Sequence, residues 1–205
     1  MSKKNLDKLF LTLAFTLIFT IVVTAGTTTY TVKKGDTLWK IARTYEVGIS
    51  EIIGANPQIK NPDLIYPNQK VNVPLPDETL QGIEEEILDL VNAERQKNNL
   101  SPLKLDWQVS RVAQYKSEDM GDNNYFSHNS PTYGSPFDML KSFNISYNYA
   151  GENIAKGQKT PTAVMNAWMN SSGHRENILN SKFTTLGVGY YVKNGTIYWT
   201  QIFTG

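Results

Sequence analysis

Residues 168–179 read WMNSSGHRENIL, and they bring a tryptophan, a Gly/Ser/Asn-rich turn and one of the chain's two histidines, His174, into one short stretch. The other histidine, His128, lies in FSHNS, and Glu152 lies between the two in AGENIA, which we interpret as an acidic turn. Histidine changes charge near neutral pH and is the commonest metal ligand. These three residues are therefore predicted to form a functional site. The alternative is that both histidines are ordinary polar residues of loops or helix ends.

The composition excludes several classes of protein. The 205 residues allow one or two domains, and 40% hydrophobic residues are enough for a real core. There is no cysteine, so neither a disulfide framework nor a thiolate metal site can form. The net charge of +1 gives no sign of the basic face that nucleic acids require, and no nucleic-acid partner is expected.

The first 25 residues have the three parts of a secretory signal peptide. Lys3, Lys4 and Lys8 are followed by the apolar run 9–23, and Ala25 is the predicted last residue removed. Cleavage removes three lysines and one aspartate, so the charge becomes +1 − (3 − 1) = −1. The alternative is an uncleaved anchor, although the run is shorter than the roughly 20 residues of a membrane span. We predict a secreted protein without a stable membrane span.

Residues 29–74 have the pattern strand, helix, helix, strand. A β-branched strand around residues 30–32 is followed by Asp36 and Thr37, either of which is able to cap a helix, and by an apolar helix face. Ser50 is the predicted cap of the second helix, which ends before Pro57 because the residue preceding proline avoids the α region. Residues 71–73 form the predicted closing strand.

This first module resembles the LysM family through YTVKKGDTLWKIARTYEVGISEIIGANP and LIYPNQKVNVP. The resemblance implies a βααβ fold and binding of peptidoglycan or other N-acetylglucosamine-containing glycans. It also implies a shallow groove between two loops. The groove residues that it implies are Gly35, Asp36, Thr37 and Leu38 on one side, and Asn56, Pro57, Leu64, Ile65 and Tyr66 on the other. The alternative is that Leu38 and Ile65 are core residues of a small domain.

Residues 75–81 form the predicted linker, stiffened by prolines, and residues 82–205 form the second module. Three helices are predicted before a β-hairpin that turns at Asn194-Gly195, a strong type I′ signal. This order indicates an α+β fold. Residues 125–159 are interpreted as a long functional loop. Gly187 and Gly189 alternate with apolar residues, which predicts another element packed closely over that strand.

The second module resembles the CAP superfamily, which includes cysteine-rich secretory proteins, antigen 5 and pathogenesis-related proteins. The ordered segments LVNAERQKNNLSPLKLD, FSHNS, AGENIA, AWMNSSGHRENIL, LGVGYY and YWTQIF carry the resemblance. It implies a three-layer α–β–α sandwich and a cleft with two histidines and two glutamates. The matching residues are His128, Glu152 and His174, whereas Ser171 stands at the position of the second glutamate.

The replacement at Ser171 weakens a two-carboxylate acid/base mechanism. Two imidazoles and one carboxylate are still able to hold a divalent ion such as zinc, with His128 and His174 as the ligands. We expect a wall-associated protein, in a vegetative wall or a spore envelope, that is anchored by the first module. The alternatives are a metal-assisted hydrolase acting on peptidoglycan or protein, and a lipid-binding protein of the extracellular space. The cleft ligand and the oligomeric state stay open.

Overall fold

The computed structural model describes residues 26–205, so the predicted signal peptide lies outside the described residues. The first module is a two-stranded antiparallel sheet covered by two helices, with its own core. Its elements are β1 (Thr27–Thr31), α1 (Leu38–Tyr45), α2 (Ile49–Gly54) and β2 (Lys70–Pro74). The register pairs Thr27 with Pro74. The strand therefore begins two residues before the predicted boundary at Thr29, and the βααβ order is confirmed.

The second module is built on a four-stranded sheet with the order β3-β5-β6-β4, in which only β3 pairs in parallel. Its helices are α3 (Glu78–Lys97), α4 (Trp107–Asp122), α5 (Pro136–Ser142), α6 (Pro161–Asn170) and α7 (Ser172–Ile178). Its strands are β3 (Lys104–Leu105), β4 (Ala150–Lys156), β5 (Thr185–Lys193) and β6 (Thr196–Thr204).

Helices cover both faces of this sheet. On one face, Val109 and Ala113 of α4 pack with Ile202 of β6. On the other, Trp168 of α6 belongs to the same core as Trp199 of β6, together with residues of α3 and α7. Each side contains a cluster of buried apolar side chains, as expected when a sheet is enclosed between two helical layers. The predicted three-layer α–β–α sandwich is confirmed.

Local signals in the sequence explain where most elements begin and turn. The side chains of Thr37, Asp106 and Thr160 accept hydrogen bonds from the first turns of α1, α4 and α6. Asn194 and Gly195 both have positive φ, 51° and 74°, as the type I′ hairpin requires. One cap differs from the prediction: α2 begins after Gly48, whose N–H is bonded to Glu51, and Ser50 lies inside the helix.

Two larger predictions were wrong. AGENIA is strand β4 and not a turn, and residues 125–159 contain α5 as well as β4. The polar side chains of β4 concealed the strand, because their partners come from distant segments. Helix α3 begins at Glu78, inside the segment 75–81 that was predicted as the linker. Asp77 caps that helix by accepting from the N–H of Thr79 at 2.8 Å.

The predicted close packing at Gly187 and Gly189 is confirmed, and the covering element is α4. A Cβ atom on Gly189 would lie 2.1 Å from the carbonyl oxygen of Ala113. One on Gly187 would lie 2.3 Å from the carbonyl carbon of Val109. The strand and the helix backbone therefore approach each other in a way that only glycine permits.

The two modules keep separate cores and meet at a small polar contact. Arg111 of α4 forms an ion pair with Glu51 of α2. Tyr115 donates its hydroxyl proton to the same carboxylate at 3.1 Å. Within residues 26–205, no helix is long and apolar enough to cross a membrane.

Glu84 of α3 gives the fold a dependence on pH. Burial raises its pKa from the ordinary 4.5 to about 7, and a hydrogen bond from Ser110 opposes the shift only in part. The folded chain therefore binds more protons than the unfolded chain between these values, and stability falls as pH rises through this window. We expect Glu84→Gln to stabilise the protein by about 1–2 kcal/mol at about pH 8 and to change nothing near pH 4. Urea unfolding at both pH values measures this, with Glu86→Gln, at an exposed position of the same helix, as the control.

Candidate functional site

A cleft of about 560 Å³ lies at the free edge of β4, between the loop that follows α4 and the junction of α6 with α7. Three of the predicted site residues, His128, Ser171 and His174, line it, and Glu152 is bonded to His128 from behind. The structure thus brings together all four residues that the sequence singled out. The remaining lining residues are Phe126, Ser127, Asn129, Ile154, Ala155, Lys156, Gln158, Ala167 and Trp168.

His128 and Glu152 form a tight pair. Nδ1 of His128 lies 2.6 Å from Oε1 of Glu152, whose side chain is only 2% exposed, whereas that of His128 is 53% exposed. A carboxylate at this distance accepts the Nδ1 proton, which fixes the ring orientation and leaves the Nε2 lone pair for a ligand or a proton. Within residues 26–205, Oε2 of Glu152 has no hydrogen-bond partner. The pair has the form of a histidine base held by a buried carboxylate.

His174 contributes a second imidazole from α7. Burial, together with the charge of His128, lowers its pKa below the ordinary value, so that the ring is neutral at neutral pH. A neutral imidazole is able to accept a proton or bind a metal. Ser171 precedes α7 and its side chain makes no capping hydrogen bond. The hydroxyl therefore replaces the expected carboxylate with a neutral group.

Two asparagines fix the strand and helix that carry these groups, and sequence reasoning missed both. Asn153 donates to the carbonyl oxygen of His174 at 3.1 Å. Asn177 donates to the side-chain oxygen of Asn153 at 2.9 Å and to the carbonyl oxygen of Glu152 at 3.2 Å. Asparagine occurs in both AGENIA and GHRENIL, and this repetition was the available signal.

The loop that carries His128 is held by a buried lysine and a buried aspartate of α4. Lys116 is 1% exposed and donates to the carbonyl oxygens of Ser127 at 2.8 Å and His128 at 2.9 Å. Asp119 accepts from Ser130 at 2.6 Å and also from the hydroxyl of Tyr125. Burial lowers the pKa of Lys116, while the charges of Glu152 and Asp119 oppose that shift. Sequence reasoning missed both residues, since charges on a helix are usually solvated.

The donor set for a metal is small. Among residues 26–205, no group of three or more histidines, aspartates and glutamates lies close enough to hold an ion. The cleft itself offers the two imidazoles of His128 and His174, while the near oxygen of Glu152 is committed to His128. Two protein ligands alone make a weak zinc site, because structural sites use four and catalytic sites three.

The predicted groove residues of the first module fall into two groups. Leu38 and Asn56 are 2% and 1% exposed; Leu38 is a core residue, and Asn56 joins α2 to β2 by donating to Ile52 and Asn72. Their side chains are therefore not available to a glycan. Leu64 and Tyr66 are 50% and 60% exposed. The other predicted residues, Gly35, Asp36, Thr37, Pro57 and Ile65, are exposed or half-buried.

Asp36 has a structural task in its loop. Its carboxylate accepts from the N–H of Lys33 at 2.7 Å and from the hydroxyl of Tyr30 at 2.8 Å. These hydrogen bonds lower its pKa, so it stays ionised. The loop that was predicted to form one side of the groove is thereby fixed in shape.

Comparison with known proteins assigns both modules. Residues 88–203 match the cysteine-rich secretory protein (CAP) family, and residues 30–74 match the LysM domain. The chain belongs to the cysteine-rich secretory protein family, in a form in which a LysM domain precedes the CAP domain. LysM domains are associated with binding of N-acetylglucosamine-containing glycans such as peptidoglycan.

Three relatives illustrate the similarity. YkwD of Bacillus subtilis is 61% identical over 127 residues, which are 62% of this chain and 49% of YkwD. The structure of an extracellular protein containing a SCP domain, from Bacillus anthracis, is 42% identical with a TM-score of 0.58, over 67% of this chain and 46% of that one. The spore coat assembly protein ExsA of Bacillus cereus is 54% identical over 43 residues, 21% of this chain and 7% of ExsA. This chain spans about half or less of each relative.

Proposed function

We propose that this is a secreted protein of the cell wall, held to peptidoglycan by its LysM domain, and that its CAP domain presents the His128/Glu152/His174 cleft to that environment. The LysM match over residues 30–74 carries the proposal. The extracellular relative in Bacillus anthracis supports a place outside the cell. The short match to a spore coat assembly protein supports the spore surface as one such place.

The geometry of the first module supports glycan binding at the α2–β2 loop. Leu64 and Tyr66 expose large apolar side chains next to backbone groups of the same loop. Apolar side chains cover the flat faces of sugars, and backbone amides and carbonyls bond to acetamido groups. Because Asp36 and Asn56 hold the two loops from within, the groove is formed before a ligand arrives. A preformed groove reduces the entropic cost of binding.

We expect the secreted chain, residues 26–205, to be retained on purified peptidoglycan, and Tyr66→Ala to weaken retention about tenfold because an exposed aromatic cover is lost. A sedimentation assay with increasing amounts of peptidoglycan measures the effect. The control is Phe137→Ala, which removes a similarly exposed ring, 50% against 60%, from the CAP domain. Absence of retention for the unchanged chain would overturn the anchoring role.

A second candidate is hydrolysis of a peptidoglycan or protein substrate at the cleft. The bond between His128 and the buried Glu152 favours it, since a carboxylate-held imidazole is the usual general base for activating water. The imidazole takes a proton from the attacking water and returns it to the leaving group. Zinc on His128 and His174 stays a proposal; when bound, it would supply a Lewis acid in the cleft.

The hydrolase candidate is tested on peptidoglycan and on casein, with and without added zinc. We expect the release of soluble fragments to fall by about two orders of magnitude in His128→Ala, because a general base contributes about that much. His174→Ala tests the second imidazole, and Ser172→Ala, exposed on α7 outside the cleft, is the control. Unchanged activity in both histidine variants would exclude this site as the source of hydrolysis.

A further inference from the structure

The floor of the cleft is the unpaired edge of β4. This strand is the last in the sheet and pairs only with β6. Gly157 donates to Ile197 at 2.8 Å, and Tyr149 and Gly205 exchange hydrogen bonds at 2.8 and 2.9 Å. In an antiparallel pair such bonded residues alternate with non-bonded ones. The N–H and C=O groups of Glu152, Ile154 and Lys156 therefore point away from β6.

Part of this edge is closed by side chains of the opposite layer. The side chain of Asn177 donates to the carbonyl oxygen of Glu152 at 3.2 Å. The indole N–H of Trp168 donates to the carbonyl oxygen of Ile154 at 3.4 Å. Beyond them the edge is open. Lys156 is exposed, and within the described chain neither its N–H nor its C=O has a partner. The open section lies in the same cleft as His128 and His174.

We propose that the cleft binds an extended peptide segment, which adds as a short strand to the edge of β4 at residues 154–156. Lys156 offers an outward N–H donor and an outward C=O acceptor, and Ile154 offers a further outward N–H. Outward-pointing residues of a strand are two positions apart, so these groups repeat about every 6.8 Å along the edge. Another extended peptide chain has the same repeat and is able to add to a sheet edge through its main chain. The inference rests on the proposed function only in that both place the ligand of the CAP domain in this cleft.

The charges in the cleft select an acidic peptide. Lys156 lines the cleft, and its ammonium lies 4.8 Å from the centre of the Tyr198 ring. No carboxylate appears among the lining residues of the described chain, and the charge of Glu152 is buried against His128. Phe126, 48% exposed, offers an apolar surface on one wall. A segment with one glutamate among apolar and β-branched residues therefore fits both the charge and the surface.

The experiment is an NMR titration of isotope-labelled chain 26–205. The probe is a pool of capped peptides of about eight residues, each with one glutamate among alanine, valine, threonine and leucine. We expect saturable shifts of the Ile154 and Lys156 amide signals. A pool N-methylated at alternate residues should bind about tenfold more weakly, because it lacks the bonding N–H groups. A pool with lysine in place of glutamate should bind about fivefold more weakly.

The matched protein variants are Lys156→Pro and Lys156→Ala. Both variants remove the charge of Lys156, but only proline also removes the outward N–H. An edge strand tolerates proline at a position whose N–H points away from the neighbouring strand. We expect Lys156→Pro to bind the acidic pool about fivefold more weakly than Lys156→Ala. If Lys156→Pro does not fold, the N-methylated pool still makes the same comparison on the unchanged chain.

Three outcomes would overturn the inference: no pool shifts these amides, the N-methylated pool binds as well as the unmethylated one, or folded Lys156→Pro equals Lys156→Ala. Retention on peptidoglycan is measured on the same samples. Retention without peptide binding would remove the inference and leave the anchoring role intact. Peptide binding without retention on peptidoglycan would remove the anchoring role and leave the inference intact.

Discussion

Replacement of Arg95 by methionine is expected to destabilise the CAP domain by about 4 kcal/mol. Arg95 is 1% exposed, and among residues 26–205 it forms no ion pair with a carboxylate; its guanidinium donates instead to four backbone carbonyls. These belong to Ser101, Ile178, Asn180 and Phe183, at 2.9, 2.8, 2.9 and 3.2 Å. Methionine fills the space but leaves the carbonyls buried without donors. Urea unfolding followed by circular dichroism measures the loss.

The effect should extend to the cleft, because two of these carbonyls lie at the end of α7, the helix that carries His174. We expect Arg95→Lys to recover only part of the stability, since an ammonium cannot reach four carbonyls in a planar arrangement. Lys97→Met, on the same helix with a side chain that is 67% exposed, is the control and should change stability by less than about 0.5 kcal/mol. A loss below about 1 kcal/mol in Arg95→Met would show that these hydrogen bonds contribute little to stability.

Gly189→Ala should destabilise the CAP domain by about 3 kcal/mol or more. The new methyl carbon would lie 2.1 Å from the carbonyl oxygen and 2.3 Å from the carbonyl carbon of Ala113 in α4. The backbone of a helix cannot relieve this overlap by a rotamer change, as a side chain could, so α4 must move away from the sheet. The same helix holds the His128 loop through Lys116, so the cleft should loosen as well. Thermal unfolding and the amide spectrum of residues 127–130 measure the two effects.

Gly82→Ala is the matched control. The substitution is the same, but Gly82 lies in α3, where an added Cβ meets nothing within 4 Å. We expect this variant to be as stable as the unchanged chain, or more stable by about 0.5–1 kcal/mol, because alanine favours the helix. Equal effects at the two sites would contradict the steric explanation for Gly189.

Sequence reasoning singled out the residues that meet at the candidate cleft because histidine is rare in this chain, so that two motifs stood out. It could not predict Arg95 or Lys116, although they hold the same site. Each is a cation on an amphipathic helix, where the pattern indicates a solvated face. Their acceptors are backbone carbonyls. Every residue has a backbone carbonyl, so the sequence does not indicate which segments supply the acceptors. Buried cations of this kind are recognised only after folding.

Strand β4 shows the same limit for secondary structure. Its sequence AGENIAK has no clear alternation of apolar and polar residues, because Asn153 is fully buried among polar partners and Glu152 is buried against His128. Alternation predicts a strand only when one face meets an apolar core. Here the polar side chains are themselves part of the interior. The strand was therefore misread as a turn, while the regular hairpin of β5 and β6 was predicted correctly.

The sequence by itself determined the two modules and the turn at Asn194-Gly195, because these signals depend on neighbouring residues. Only the tertiary structure decided that His128, Glu152 and His174 meet, and that the edge of β4 stays open beside them. Both depend on contacts between distant segments and on the order of strands in the sheet, which local chemistry does not specify.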